Sequence, residues 1–388
     1  MKYNFDELIN RENTSCYKYD LKNKYFDADD LLPMWVADMD FNVPDCITDA
    51  IRQRLSHKIF GYSFYGDTVY ESIINWLHKR HRWQIKKEWI GYTPGVVPAL
   101  NLAVLAFSDP GDKIIVQTPV YFPFYSAVKD HKRILIQNPL KPVNGRYEMD
   151  LDNLRKQIDD KTRILFLCSP HNPTGNVWKK EELEDLASIC LEKGILIVSD
   201  EIHADIVYKP HNHIPTASLT ERISDQVITL MAPSKTFNVA GLSTSYFITS
   251  NAGLKAKMNR WIEKMHLSMG NIFGSVALEA AYTKGDAWLD QLLSYLSGNI
   301  RLTKEFINND LNGITLVEPE ATFLLWLDFR EKNVPPEQLN AYIQKKAGLA
   351  LSDGLLFGSD GKGFQRINIG CPRSILEKAL TRLKHAFG

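Results

Sequence analysis

The stretch "VITLMAPSKTFNVA" (227–240) leads six mostly apolar residues through Pro233 and Ser234 to one lysine, Lys235. A lone lysine after a strand is ordinarily a solvated loop residue. Its interest comes from what ends the other apolar runs. "RILFLCSP" (163–170) is followed by His171-Asn172-Pro173-Thr174-Gly175, a turn-rich loop holding an amide. "ILIVSDEI" (195–202) closes on Asp200 and Glu201, with His203 just beyond. "KIIVQTP" (113–119) runs on to Tyr121, which stands between Pro119 and Pro123. In open α/β sheets, ligands bind beyond the carboxyl ends of the strands. An amine, a carboxylate, an amide and an aromatic face are therefore expected to converge on one crevice.

Pyridoxal 5′-phosphate (PLP) needs that set. Its aldehyde joins a lysine amine. Its ring nitrogen stays protonated beside an anion, because the opposite charge favours the charged form. Its phenolic oxygen takes a hydrogen bond from an amide, and its flat ring an aromatic neighbour. Its phosphate suits free N–H groups at a helix start. "GYTPGVVPALNLAVLAF" (91–107) offers such a start, where Gly95 permits close backbone approach and the N–H groups of Val96 and Val97 precede Pro98. A Pro-Gly turn before a helix is common in any protein, so this part of the pattern says little alone. Ser234 adds a hydroxyl beside the lysine.

Asp200, Glu201, His203 and Asp205 together suggest a metal site. Strand alternation sends Asp200 and Glu201 to opposite faces, which argues against one, and no metal is expected. His78 and His81 share a helical face with no further ligand in view, so solvated surface is the expectation.

The elements that must position these residues read as follows. Runs at 113–119, 133–137, 163–170, 195–202, 227–234 and 245–250 are β-rich, and some are apolar almost throughout. That is the pattern of strands covered on both faces. "KKEELEDLASICLEKG" (179–194) is helical, with early acids and Gly194 past its end. "DTVYESIINWLHKRH" (67–81) opens on Thr68-x-x-Glu71, a capping-box pattern. Strand–helix alternation indicates an α/β layer fold. The tail changes character, with strands expected at 314–329 and 363–370 and helices at 335–348 and 372–388. It reads as a smaller α+β unit. The expected division is a large α/β domain over 46–286 and a small domain made of 1–45 and 287–388.

A chain of 388 residues is too long for one simple core. Lys plus Arg equals Asp plus Glu, 46 against 46, so no general field draws nucleic acid or an anionic membrane. The five cysteines are odd in number, widely spaced and without a CxxC, which speaks against a disulfide framework and for a reducing compartment. No signal-like apolar core opens the chain, and no apolar run reaches the ~18 residues a membrane span needs. A cytoplasmic protein is expected.

"SPHNPTGNVW", "SDEIHADIVY", "APSKTFNVAGL" and "INIGCPRS", in that order, resemble fold-type I PLP-dependent enzymes, the aspartate aminotransferase superfamily. "MWVADMDF", "FGYSFY" and "GFQRINIGCPRS" narrow the resemblance to the MalY/PatB cystathionine β-lyase branch. It covers nearly the whole chain. It implies a large domain with a mostly parallel mixed sheet flanked by helices. It also implies roles: Lys235 as Schiff-base lysine and proton shuttle, Asp200 at the ring nitrogen, Asn172 at the ring oxygen, Tyr121 stacked on the ring. Val96, Val97 and Ser234 would hold the phosphate, and His203 is placed among the cofactor-binding residues. Tyr62 would reach the phosphate of a neighbouring subunit, hence a homodimer with shared active sites. Arg366 would grip the substrate carboxylate bidentately, with the backbone of Ala37 lining that pocket. One departure stands out, because many relatives carry a hydroxyl residue where this chain has Ala232.

The activity implied is β-elimination from L-cystathionine or related cysteine conjugates, giving a thiol, pyruvate and ammonia. Two alternatives stay open: transamination of neutral or aromatic amino acids, and a regulatory or interaction role on the same fold.

Overall fold

Seven runs pair into one sheet in the computed structural model, which describes residues 3–28 and 30–388. The strands are β1 (Ile90–Thr93), β2 (Lys113–Thr118), β3 (Ile134–Pro139), β4 (Thr162–Cys168), β5 (Leu196–Asp200), β6 (Val227–Met231) and β7 (Ser245–Ile248). Their order is β1-β7-β6-β5-β4-β2-β3. β3, β2, β4, β5 and β6 run parallel, while β7 is antiparallel to both its neighbours.

Strand periodicity divides the apolar side chains between two layers. Ile164 and Phe166 of β4 pack into one core with Val198, Ile228 and Leu230; Leu165 and Leu167 enter the other core with Ile197 and Val227. Each of these fully buried side chains contributes on the order of 2 kcal/mol. The first core is closed by helix Val96–Phe107, whose Ala99, Leu100, Ala103 and Val104 are completely buried. Ala99 and Ala103 let the helix lie close to the sheet. The same alternation decides which way the last residue of each strand faces, and so which residues reach a ligand.

Five helices matter below: α1 (Asp67–His81), α2 (Val96–Phe107), α3 (Lys180–Lys193), α4 (Asp286–Asp310) and α5 (Arg373–Phe387). α3 has the expected ends: the Glu182 carboxylate accepts from the Lys179 N–H at 2.8 Å, and Gly194 turns left-handed at φ 66°. α1 departs from expectation. Its N-cap is Gly66, which places Thr68 inside the first turn and dissolves the expected Thr68–Glu71 box. His81 also departs, because it is not on a solvated surface but buried against Asp205, while His78 is exposed.

The tail forms an antiparallel sheet in the order β8-β9-β11-β10, from β8 (Thr315–Leu316), β9 (Leu324–Asp328), β10 (Ser352–Asp353) and β11 (Phe364–Asn368). The strand expected over 314–329 is broken, because Pro319 and a left-handed Thr322 (φ 69°) lie within it and the N–H groups of Glu320 and Ala321 turn to the Gly175 carbonyl. The helix expected over 335–348 shrinks to Leu339–Ala347, since Pro335 and Pro336 precede it and its last residues widen into a π-turn. α4 and α5 pack against each other beside this sheet.

The N-terminal segment joins the tail. Leu32 and Pro33 pair in parallel with Leu349 and Ala350, and the Asn368 amide donates to the carbonyls of Val36 and Asp38 at 2.6 Å each. Lys18 is fully buried and pairs with Asp40 at 2.6 Å; Arg11 bridges Asp38 and Asp40 at the same distance. Among the described residues, no helix is long and apolar enough to cross a membrane.

Candidate active site

A cavity of about 230 Å³ opens at the carboxyl ends of β4, β5 and β6. β5 ends in Asp200, and the chain after β6 makes a single helical turn, Pro233–Thr236, that carries Ser234 and Lys235. β4 delivers Cys168 and, on the following loop, Asn172. The first turn of α2 brings Val96 and Val97, and the N-terminal segment brings Ala37. Tyr121 and His203 complete the walls. Nine of the eleven residues singled out from the sequence therefore meet in one place. Arg366 joins them through Asn172, and Tyr62 does not: it is 93% exposed and elsewhere.

The Lys235 amine donates to the Ala37 carbonyl at 2.7 Å. Burial pushes its pKa down to about 8, opposed by the nearby charge of Asp38, aided by Arg366 and opposed again by Asp200. Asp200 is pushed up to about 7, chiefly because it is out of water; the Ile202 N–H at 3.1 Å and the charge of Lys235 only partly offset this. Asp200 has no ion-pair partner among the described residues within salt-bridge distance. Glu201 faces the opposite way, as strand alternation requires, and accepts from His213 at 2.7 Å. No group of metal-binding side chains occurs among the described residues. Burial holds His203 neutral, with its pKa far below the usual imidazole range.

Arg366 sits mid-strand in β11, opposite Trp326 on one side and Ser352 on the other. Its guanidinium donates to the Asn172 side chain at 3.0 Å, the Trp35 carbonyl at 2.8 Å and the Ser352 hydroxyl at 3.1 Å, and lies 4.9 Å over the Phe357 ring. All these partners are neutral. Burial pushes its pKa down to about 10, and its Nε has no acceptor among the described residues. A buried guanidinium held only by neutral groups is a site for an anion. Trp35 and Ser352, which hold it, were not expected from the sequence. Trp35 lies in the quoted "MWVADMDF". Ser352 carried no signal, since a serine on a two-residue strand looks like any turn residue.

The donor set fits PLP. A buried acid without a close cation suits a cationic ring, and an amine with a pKa near 8 suits an aldehyde. At the start of α2 the first helical bond is Ala99 N–H to the Gly95 carbonyl at 3.0 Å, so the N–H groups of Val96 and Val97 precede the ladder. They suit a phosphate.

Comparison with known proteins agrees. Cystathionine beta-lyase PatB of Bacillus subtilis (strain 168) is 41% identical, covering 99% of both chains. Protein MalY of Escherichia coli (strain K12) is 32% identical, covering 99% of this chain and 98% of its own. The crystal structure of cystalysin from Treponema denticola, which contains a PLP cofactor, superposes with a TM-score of 0.95 at 34% identity, covering 100% of this chain and 99% of that one. A family model described as aminotransferase class I and II matches residues 29–383. The chain belongs to this aminotransferase class I and II family, whose fold-type I α/β architecture it shares.

Proposed function

We propose that the protein is a PLP-dependent carbon–sulfur β-lyase. It takes L-cystathionine or related cysteine conjugates to a thiol, pyruvate and ammonia. The observation that carries an amino-acid substrate is the buried, anion-lacking Arg366 guanidinium, bonded through Asn172 to the cavity that holds Lys235 and Asp200. The name of the PatB relative supports elimination.

Lys235 would hold the cofactor's aldehyde, Asp200 its ring nitrogen and Asn172 its ring oxygen. Tyr121 would cover the ring, His203 would flank it as a neutral group, and Val96, Val97 and Ser234 would take the phosphate. When bound, PLP supplies an electrophilic carbon for an amine and a cationic ring that draws electrons from the substrate Cα.

This chain's residues do the rest. Arg366 binds the α-carboxylate, its Nε still free to donate, and the backbone of Ala37 borders the same region. This orients the substrate and fixes which Cα bond meets the base. Lys235, freed when the substrate's own amine takes its place and with a pKa near 8, would be partly neutral at physiological pH and would accept the Cα proton. The resulting ammonium is held by the Ala37 carbonyl and can return its proton to the departing sulfur. Asp200 remains the anion of the site once a cation stands beside it, because an opposite charge lowers a buried acid's pKa.

The family model's description favours transamination as a second reading. Incubation with L-cystathionine separates the two. Pyruvate and free thiol in equal amounts support elimination. Glutamate formed from 2-oxoglutarate, without thiol release, overturns it.

On the same footing we propose a homodimer with shared sites. Ile59 (68%), Phe60 (56%), Tyr62 (93%) and Phe64 (84%) form an exposed apolar stretch that a second copy could cover. The domain division at 46–286 is supported by the pairing of Leu32 with Leu349. A cytoplasmic setting is supported by five cysteines that are all unpaired.

A further inference from the structure

The segment "DEIHAD" faces two ways. Asp200 enters the cavity, but Asp205 points to the far side of the Lys235 turn, with a side chain 4% exposed. Trp76 Nε1 donates to both of its oxygens at 3.1 and 3.2 Å, and His81 Nε2 donates to Oδ1 at 2.8 Å. The Thr236 hydroxyl donates to Oδ2, also at 2.8 Å. Trp76 and His81 belong to α1; Thr236 directly follows Lys235. Burial pushes the Asp205 carboxyl up, but the His81 bond and charge, the Thr236 hydroxyl and the charge of Arg80 outweigh it and keep the group below the ordinary carboxylate range. Tyr246 of β7 and Tyr282 also face it.

The helix carrying Lys235 is one turn, Pro233–Thr236. One turn does not hold itself, since nucleation fixes many dihedrals for a single bond. Its placement depends on outside anchors. One is Asn238, left-handed at φ 58°, whose side chain donates to the carbonyls of Met39 and Phe41 at 2.8 and 3.1 Å and accepts from the Met39 N–H at 2.9 Å. It ties the turn to the segment that carries Ala37. The other is Thr236, fully buried, whose hydroxyl ends on Asp205.

We propose that Asp205, acting through the Thr236 hydroxyl, is the positioning residue for Lys235. Held from α1 by Trp76 and His81, it fixes the turn from behind while Asn238 fixes it from the front. Loss of the bond lets the lysine drift from Asp200 and Ala37, and the reacting distance with it. The inference rests on the reading of Lys235 as the reactive amine.

The test compares Thr236→Val, Thr236→Ser and Asp205→Asn holoenzymes with the wild type. Three quantities are measured: the pH midpoint of the bound cofactor's visible absorption, kcat and KM for cystathionine, and the melting temperature. Removing the hydroxyl bond to a charged acceptor should lower kcat by about tenfold with KM within about twofold. The pH midpoint should move by about half a unit or more. Thr236→Ser should behave as wild type. Asp205→Asn should move the midpoint in the same direction, a second handle should the valine variant fail to load cofactor. An unmoved midpoint and kcat in the loaded variants overturn the proposal even where melting falls. Lys235→Ala is the control. If it keeps the wild-type absorption, the reading of Lys235 itself has failed; if it loses it while the other variants match wild type, only the positioning has.

Discussion

Lys235 and Ala37 stand 198 positions apart, yet the lysine amine donates to the alanine carbonyl at 2.7 Å. A backbone carbonyl accepts from an amine whether it is neutral or charged, which suits the base proposed for Lys235. Ala37 is held on both sides: Arg366 and Ser352 grip the Trp35 carbonyl, Asn368 grips Val36 and Asp38, and Asn238 grips Met39. The N-terminal segment is thus a strap between the main sheet and the tail, and Lys235 touches it.

The strap is fastened by buried charge. Lys18 (0% exposed) and Arg11 share Asp40 (5% exposed). Breaking a buried pair by removing one partner leaves an uncompensated charge, a loss of about 3–5 kcal/mol. Asp40→Asn should therefore lower stability by that order in urea unfolding and speed loss of PLP on dialysis. Unchanged unfolding would show that the strap is held by its backbone bonds alone.

Asp200 gives a pH prediction for the cofactor-free protein. Burial raises its folded pKa to about 7, above the ordinary carboxylate value of 3.8. Between these values the folded state holds a proton that the unfolded state has released, so stability falls as pH rises across that window. The loss is complete above about pH 7. Asp200→Asn cannot ionise and escapes it. The variant should match or fall below the wild type near pH 4 and exceed it near pH 8, by on the order of 1–3 kcal/mol. Calorimetry of the cofactor-free proteins at the two pH values decides; the same difference at both would remove desolvation of Asp200 as the cause.

Much of this site was legible because it lies at strand ends. Alternation along β5 fixes Asp200 and Glu201 on opposite faces, and the apolar runs locate β4 and β6, so Asn172 and Lys235 follow. What stayed hidden depends on contacts between distant segments. His81 looked like surface because a helical face does not reveal its neighbour, here Asp205. Thr68 looked like a cap because the pattern does not say where the first turn begins, and Gly66 took the position. Ser352 meets Arg366 only through the pairing of β10 with β11, which no local signal encodes. Tyr62 was singled out by resemblance alone, and among the described residues it is left 93% exposed.

That exposure allows a test of the proposed shared site that does not depend on seeing a dimer. Tyr62→Ala and Lys235→Ala are each made as separate proteins. If Tyr62 serves the phosphate of a second copy, each variant alone is impaired, Lys235→Ala completely. A hybrid of the two carries one site with an intact lysine from one chain and an intact tyrosine from the other. Unfolding and refolding an equal mixture gives about half hybrids, each with one restored site, hence about a quarter of wild-type activity. Were Tyr62 to act within its own chain, or not at all, no such site could form and the mixture would show only the average of the two variants.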